Sequence, residues 1–125
     1  MPVFKVLIVD DDASILILLE KRLQNEGYQV IKAASGQEAV DKAKSFMPHL
    51  IIMDIMLPDI DGAEAFQRIN ADNETSHIPV VFLSGIVGAG EGRSEINVKE
   101  RNYPAVGKPI DFNVLLGLVK ESLPG

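Results

Sequence analysis

Three runs in this chain are continuously apolar and then stop at a polar residue. Val6-Leu-Ile-Val9 stops at Asp10, Leu50-Ile-Ile-Met53 at Asp54, and Pro79-Val-Val-Phe-Leu83 at Ser84. A strand with one wet face alternates apolar and polar residues, whereas continuous runs suit strands covered on both faces of a parallel sheet. Two shorter candidates join them: Tyr28-Gln-Val-Ile31, which partly alternates, and Ala105-Val106, placed just before Lys108-Pro109.

Segments with a helical period lie between the strands. Ile15, Leu18, Leu19, Arg22 and Leu23 follow three- and four-residue spacing, and Gly27 supplies a stop. Ser35-Gly-Gln-Glu38 has the form of a capping box, Ala39, Val40, Ala43 and Phe46 form a face, and Pro48 closes the segment. Asp61 starts a helix carrying Ala65, Phe66 and Ile69, and Asp111 one carrying Val114, Leu115, Leu118 and Val119. A further helix is expected near Glu91 to Arg101, after a Gly-rich loop from Gly85 to Gly92. Strands alternating with helices in this way predict an α/β fold: a doubly wound, five-stranded parallel sheet with helices on both faces. No repeat or linker divides the chain, so residues 1–125 are expected to form a single domain.

The balance of 12 Lys+Arg against 18 Asp+Glu gives a net charge of −6. Such a surface repels phosphate backbones, so direct nucleic-acid binding by this segment is not expected. There is no Cys, which removes disulfides, thiolate zinc sites and cysteine nucleophiles. The N-terminal MPVFKVLIVDDD fits neither a secretion signal nor a membrane span, so a cytoplasmic location without membrane attachment is expected.

In an open α/β sheet the ligand crevice lies beyond the carboxyl ends of the strands, where the winding reverses. The polar residues at those ends are Asp10-Asp11-Asp12, Asp54, Ser84 and Lys108. Carboxylates gathered there repel one another, and a hard divalent cation resolves the conflict. The oxygen ligands favour Mg²⁺ over Zn²⁺, since neither His sits at metal-ligand spacing. A carboxylate facing a Lys, a hydroxyl and Mg²⁺ is equipped to accept a phosphoryl group, which points to Asp54 as acceptor.

The ordered set Val6-Leu-Ile-Val-Asp-Asp-Asp12, Ile51-Ile-Met-Asp-Ile-Met-Leu-Pro-Asp-Ile-Asp-Gly62, Val80-Val-Phe-Leu-Ser-Gly85 and Lys108-Pro109 resembles the two-component response regulator receiver domain, chemotaxis regulators included. The resemblance spans nearly the whole chain and implies a flavodoxin-like fold with strand order 2-1-3-4-5. It implies that Asp54 is the phosphoacceptor, loaded from a phosphohistidine on a sensor histidine kinase or phosphotransfer protein, with an effector downstream. It further implies Asp11 as a direct Mg²⁺ ligand, Asp10 as a ligand largely through water, and the Met56 carbonyl as a third protein ligand. Ser84 and Lys108 match the residues that contact the phosphoryl group, and Pro109 the cis peptide after the Lys. Such a domain is not an enzyme beyond its own phosphorylation and slow dephosphorylation.

Several residues carry plainer expectations. Asp12 is a flank or cap, Asp59 and Asp61 are turn and cap residues, and His49 and His77 lie in surface loops. Met47, Met53 and Met56 belong to core or rim, and Gly88-Ala-Gly-Glu-Gly92 is a flexible loop rather than a phosphate cradle. Receivers commonly carry an aromatic residue three positions before the Lys, where this chain has Ala105; Tyr103 is expected at the far end of a short strand or in the loop before it. Two rival readings fit parts of the pattern. A dehalogenase-like aspartyl-phosphate phosphatase needs a second Asp two residues after the first, where Met56 stands. A degenerate, phosphorylation-independent receiver would lack principal site residues, and all are present.

Overall fold

The computed structural model describes residues 3–85 and 93–124. In chain order its elements are β1 (Lys5–Val9), α1 (Ala13–Asn25), β2 (Gln29–Ala33), α2 (Gly36–Phe46), β3 (Leu50–Asp54), α3 (Gly62–Ala71), β4 (Val80–Ser84), β5 (Arg93–Val98), β6 (Arg101–Gly107) and α4 (Phe112–Ser122). The sheet order is β2-β1-β3-β4-β6-β5, with every neighbouring pair parallel except β5 and β6. The α/β class and doubly wound parallel core are as expected, with six strands instead of five.

The continuous apolar runs serve two cores at once. Leu7, Val9, Ile51, Met53, Val80 and Phe82 face one side, where α2 and α3 supply Ala39, Ala43, Ala65, Phe66 and Ile69. Val6, Ile8, Leu50, Ile52, Val81 and Leu83 face the other, against Leu16, Leu19 and Leu23 of α1 and Leu115, Leu118 and Val119 of α4. Adjacent strand residues point to opposite faces, so only an unbroken apolar run can feed both layers. Each fully buried Leu or Ile contributes roughly 1.5–3 kcal/mol.

The caps explain where the helices start. Asp12 accepts the N–H groups of Ser14 and Ile15 at 2.9 and 3.4 Å, and Asp111 does the same for Asn113 and Val114 at 3.0 and 3.3 Å. Ser35 Oγ accepts the Glu38 N–H at 3.1 Å, while the Glu38 carboxylate accepts the Ala34 N–H at 2.7 Å. Helical phase corrects two expectations. The buried stripe of α1 is Leu16, Leu19 and Leu23, with Leu18 exposed, and Phe46 at the end of α2 is exposed as well.

The expected helix near Glu91 to Arg101 is contradicted. Arg93–Val98 forms β5 and pairs antiparallel with β6 through all six of its residues, Arg93 opposite Val106 and Val98 opposite Arg101. Ile96 and Val98 face the first core beside Tyr103 and Ala105, while Arg93 turns outward to a two-pronged ion pair with Glu121 at 2.9 Å. The period is therefore two, not 3.6. The Gly-rich loop lies outside the described residues apart from Gly85. His49 also differs from its expected place: it is half-buried, its Nδ1 accepts the Lys5 N–H at 2.9 Å, and its ring meets Phe4 edge-on. His77 is exposed, as expected.

The β5–β6 turn consists of Lys99 and Glu100, both left-handed at φ 48° and 67°. Two consecutive residues with positive φ define the turn that normally selects Asn-Gly, because a Cβ is crowded there. Replacing Lys99 with Asn and Glu100 with Gly is expected to stabilise the protein by about 1–2 kcal/mol. Chemical denaturation checks this, and an unchanged or lower midpoint would contradict the hairpin.

Candidate functional site

Parallel register assembles the site. Val9 pairs with Met53, so Asp10 and Asp54 stand one step further along β1 and β3. Asp54 pairs with Leu83, which places Ser84 one step beyond on β4. Ser84 pairs with Gly107, and Lys108 follows at the end of β6. Four adjacent strands thus deliver Asp10, Asp54, Ser84 and Lys108 to one edge. The Lys108 N–H donates to the Ser84 carbonyl at 2.9 Å, and the Lys108–Pro109 peptide is cis.

The Lys108 ammonium stands 2.7 Å from Asp54 Oδ2 and 2.8 Å from Asp10 Oδ2. Asp10 is fully buried and Asp54 is 3% exposed. Each carboxylate is also held by a backbone donor two residues on. The Asp12 N–H donates to Asp10 Oδ1 at 2.9 Å, and the Met56 N–H donates to Asp54 Oδ1 at 3.0 Å. Lys108 is aligned to hydrogen-bond Asp54; toward Asp10 Oδ2 it offers charge at ion-pair distance without hydrogen-bond alignment.

Two buried negative charges therefore face one positive charge. Burial pushes the Asp10 carboxyl above its ordinary range, the neighbouring Asp54 adds to that, and Lys108 and the Asp12 N–H pull against it. Partial burial alone would lower Lys108, yet the two carboxylates outweigh it and hold the ammonium above its usual value. Asp12, fully exposed, is lowered by the Ser14 hydroxyl and N–H in its role as a helix cap.

Asp10, Asp11 and Asp54 each offer a carboxylate oxygen within 4.8 Å of one another, with Asp11 exposed at the mouth. Three carboxylate oxygens gathered this closely form a hard, anionic donor set of the kind that suits Mg²⁺. The buried Asp10 Oδ2, an acceptor lacking a hydrogen bond, fits the same group. All the site residues expected from the sequence reach this edge. Ser84 is buried beside Asp54, and Met56, a residue 59% exposed, contributes its N–H to Asp54.

Tyr103 lies within a seven-residue β6, not at its far end or in a loop. Its ring packs against Phe66 at 4.8 Å and Phe82 at 6.2 Å, two residues before the buried Ala105.

One residue has a wider role than its sequence suggests. Asp61 caps its own helix, α3, by accepting the Glu64 N–H at 2.7 Å. Asp59 instead reaches 22 and 23 residues back, accepting the N–H groups of Gln37 and Gly36 at 2.8 Å each. The Gln37 N–H, with further backbone donors, holds its carboxyl down at about 2. No local pattern signals this bond, because its partner is brought close only by the fold.

A mostly parallel, doubly wound sheet that ends in this acid-and-lysine edge is the architecture of a signalling receiver domain. The chain belongs to the response regulator receiver domain family, whose model matches residues 6–120. It is 32% identical over 119 residues to the polar-differentiation response regulator DivK of Brucella ovis, covering 94% of each chain. It is 46% identical over 80 residues to the alkaline phosphatase synthesis transcriptional regulatory protein PhoP of Bacillus subtilis, which covers 64% of this chain. That match takes in 32% of PhoP, so the chain spans about a third of that relative. The solved structure of the chemotaxis response regulator CheY4 of Vibrio cholerae superposes with a TM-score of 0.80 at 26% identity, covering 98% of this chain and 100% of that one.

The raised Asp10 carboxyl makes a signed prediction. A group whose folded pKa exceeds its unfolded value costs stability once the pH rises through that folded value. Asp10→Asn keeps an acceptor for the Asp12 N–H and removes the charge. It is expected to raise the metal-free thermal midpoint at neutral pH, with the difference from wild type closing as pH falls toward 3.8. Thermal unfolding across that range checks the sign; a lower midpoint for the variant at neutral pH would contradict it.

Proposed function

We propose that residues 1–125 act as a single receiver domain in which Asp54 accepts a phosphoryl group from a phosphohistidine on a sensor histidine kinase or phosphotransfer protein. The observation that carries this reading is the Lys108 ammonium shared by two buried carboxylates, Asp54 among them, at the end of four adjacent strands. A buried carboxylate ending an apolar strand is costly unless its charge is used.

In the transfer, one Asp54 carboxylate oxygen forms a bond to phosphorus as the phosphorus–nitrogen bond to the donor imidazole breaks. The imidazole nitrogen keeps the electron pair and takes up a proton, and Asp54 becomes an acyl phosphate. Asp54 is oriented for this by the Met56 N–H and Lys108. Lys108 then pairs with the phosphoryl oxygens, and Ser84, buried at the end of β4, would hydrogen-bond them through its hydroxyl. A divalent cation held by Asp10, Asp11, Asp54 and the Met56 carbonyl would supply charge neutralisation at the phosphoryl oxygens. Most of the acceleration is then positioning and electrostatics.

Phosphorylation replaces the single negative charge of Asp54 with the roughly −1.5 to −2 of an acyl phosphate and moves it outward, so this edge must reorganise around Lys108 and alter a surface read by an effector. The domain acts on no other substrate. A kinase-facing role places it in the cytoplasm, and among the described residues no helix is long and apolar enough to cross a membrane.

Incubation with phosphoramidate and Mg²⁺ is expected to add one phosphate to the intact mass of the wild type and none to Asp54→Ala. A full adduct in that variant would contradict the assignment. Mg²⁺ at a hundredfold excess over its Kd is expected to stabilise the wild type by about 2.7 kcal/mol. Asp11→Ala, which leaves the buried pair untouched, is expected to lose that gain.

The exposed Met56 side chain cannot orient a water against the acyl phosphate; its apolar companion Ile86, two residues after Ser84, lies outside the described residues. Loss of phosphate is therefore expected to be faster in Met56→Asn than in the wild type. Equal decay in Mg²⁺ would contradict it.

A further inference from the structure

We propose that Asp59 is a positioning residue for the Asp54 site, clamping the loop of residues 55–61 onto α2 and thereby fixing the Met56 backbone against Asp54. Its metal and phosphoryl readouts rest on the function proposed above; the clamp itself does not.

The first turn of any helix has N–H groups without partners inside the helix. In α2 these are divided between two caps. Ser35, next to the helix in sequence, takes the Glu38 N–H at 3.1 Å. The Gly36 and Gln37 N–H groups go to the two oxygens of Asp59, at 2.8 Å each. One half of the cap is local, and the other half is the loop that leaves the acceptor residue.

The same loop is tied down at both ends, to β4 at its start and to its own first residue at its close. The Ile55 N–H donates to the Leu83 carbonyl at 3.1 Å, and the Gly62 N–H closes back onto the Ile55 carbonyl at 2.8 Å. Gly62 lies so close to the Asp54 carbonyl that a Cβ would collide with it. In the middle, Ile60 lies over Gly36, and a Cβ there would stand 2.8 Å from the Ile60 carbonyl oxygen as well as striking its side chain. Backbone therefore approaches backbone, and the loop is seated directly on the start of α2.

Met56 sits between the Asp54 end of the loop and the Asp59 clamp. Its N–H orients Asp54 Oδ1 at 3.0 Å, and its carbonyl is the proposed oxygen for the cation. Releasing Asp59 frees the middle of the loop and loosens both groups at once, although Asp59 touches neither the acceptor carboxylate nor any group transferred to it.

The test compares two losses of α2 capping. Asp59→Ala removes the clamp, and Ser35→Ala removes the local cap while leaving the clamp in place. Amide hydrogen exchange at Met56, read by NMR without metal, is expected to accelerate about tenfold in Asp59→Ala and to stay at the wild-type rate in Ser35→Ala. Mg²⁺ affinity by calorimetry is expected to fall about tenfold in Asp59→Ala, the usual scale for losing a group that orients a ligand, and to hold in Ser35→Ala. Asp59→Asn, which keeps one acceptor, is expected to fall between. Gly36→Ala, whose methyl meets the Ile60 carbonyl, is expected to reproduce Asp59→Ala by a separate route. Wild-type Met56 exchange in Asp59→Ala, or equal effects from Ser35→Ala, would overturn the proposal. A wild type that binds no Mg²⁺ would instead refute the reading of the Asp54 site, with Met56 exchange still deciding the clamp.

Discussion

Two buried carboxylates share one ammonium, and the rest of the structure is arranged to make that tolerable. Asp10 and Asp54 are both buried, so each leans on Lys108 and on one backbone N–H. Charges so placed are costly to bury and costly to unpair. They are held together because β1, β3, β4 and β6 are parallel and adjacent, and their ends fall within a step or two of one another. The apolar runs that fill both cores are what hold those strands in register, so core packing and site geometry share one cause.

Around that edge the support is layered. Asp12 caps α1 while its N–H holds Asp10, so one residue both starts the helix and orients the carboxylate. Asp59 joins the loop after β3 to α2, and the close seating of Gly36 and Gly62 leaves that loop little freedom. On the far side of the sheet β5 adds an antiparallel edge where a helix was expected, anchored by the Arg93–Glu121 pair and by Ile96 and Val98 against Tyr103.

Much of this was legible before any coordinates. Apolar runs that stop at Asp10, Asp54 and Ser84 state both the strand type and the edge on which polarity collects. The caps at Asp12, Ser35, Asp61 and Asp111 were legible because capping is local chemistry between a side chain and N–H groups two or three residues away. The hairpin was not. Ile96 and Val98 alternate with Glu95 and Asn97, but Lys99-Glu100 lacks the Gly or Asn that marks a tight turn, so the period of two carried no punctuation. Helical phase in α1 is ambiguous in the sequence, since every residue from Ile15 to Leu19 is apolar and the run does not say which side faces inward. The Asp59 clamp was illegible for a different reason: its partners are 22 and 23 residues away, and only the packing of the loop on α2 brings them together.

The central claim is that the acid at the end of β3, and not its neighbours in the same cluster, carries the phosphoryl group. Reduction of the phosphoramidate-treated protein with borohydride converts an acyl phosphate to an alcohol and marks the residue that bore it. Peptide mass spectrometry is expected to find the mark at position 54 alone. A mark at Asp10, Asp11 or Asp59, or an unmarked protein that nonetheless gained phosphate, would contradict it.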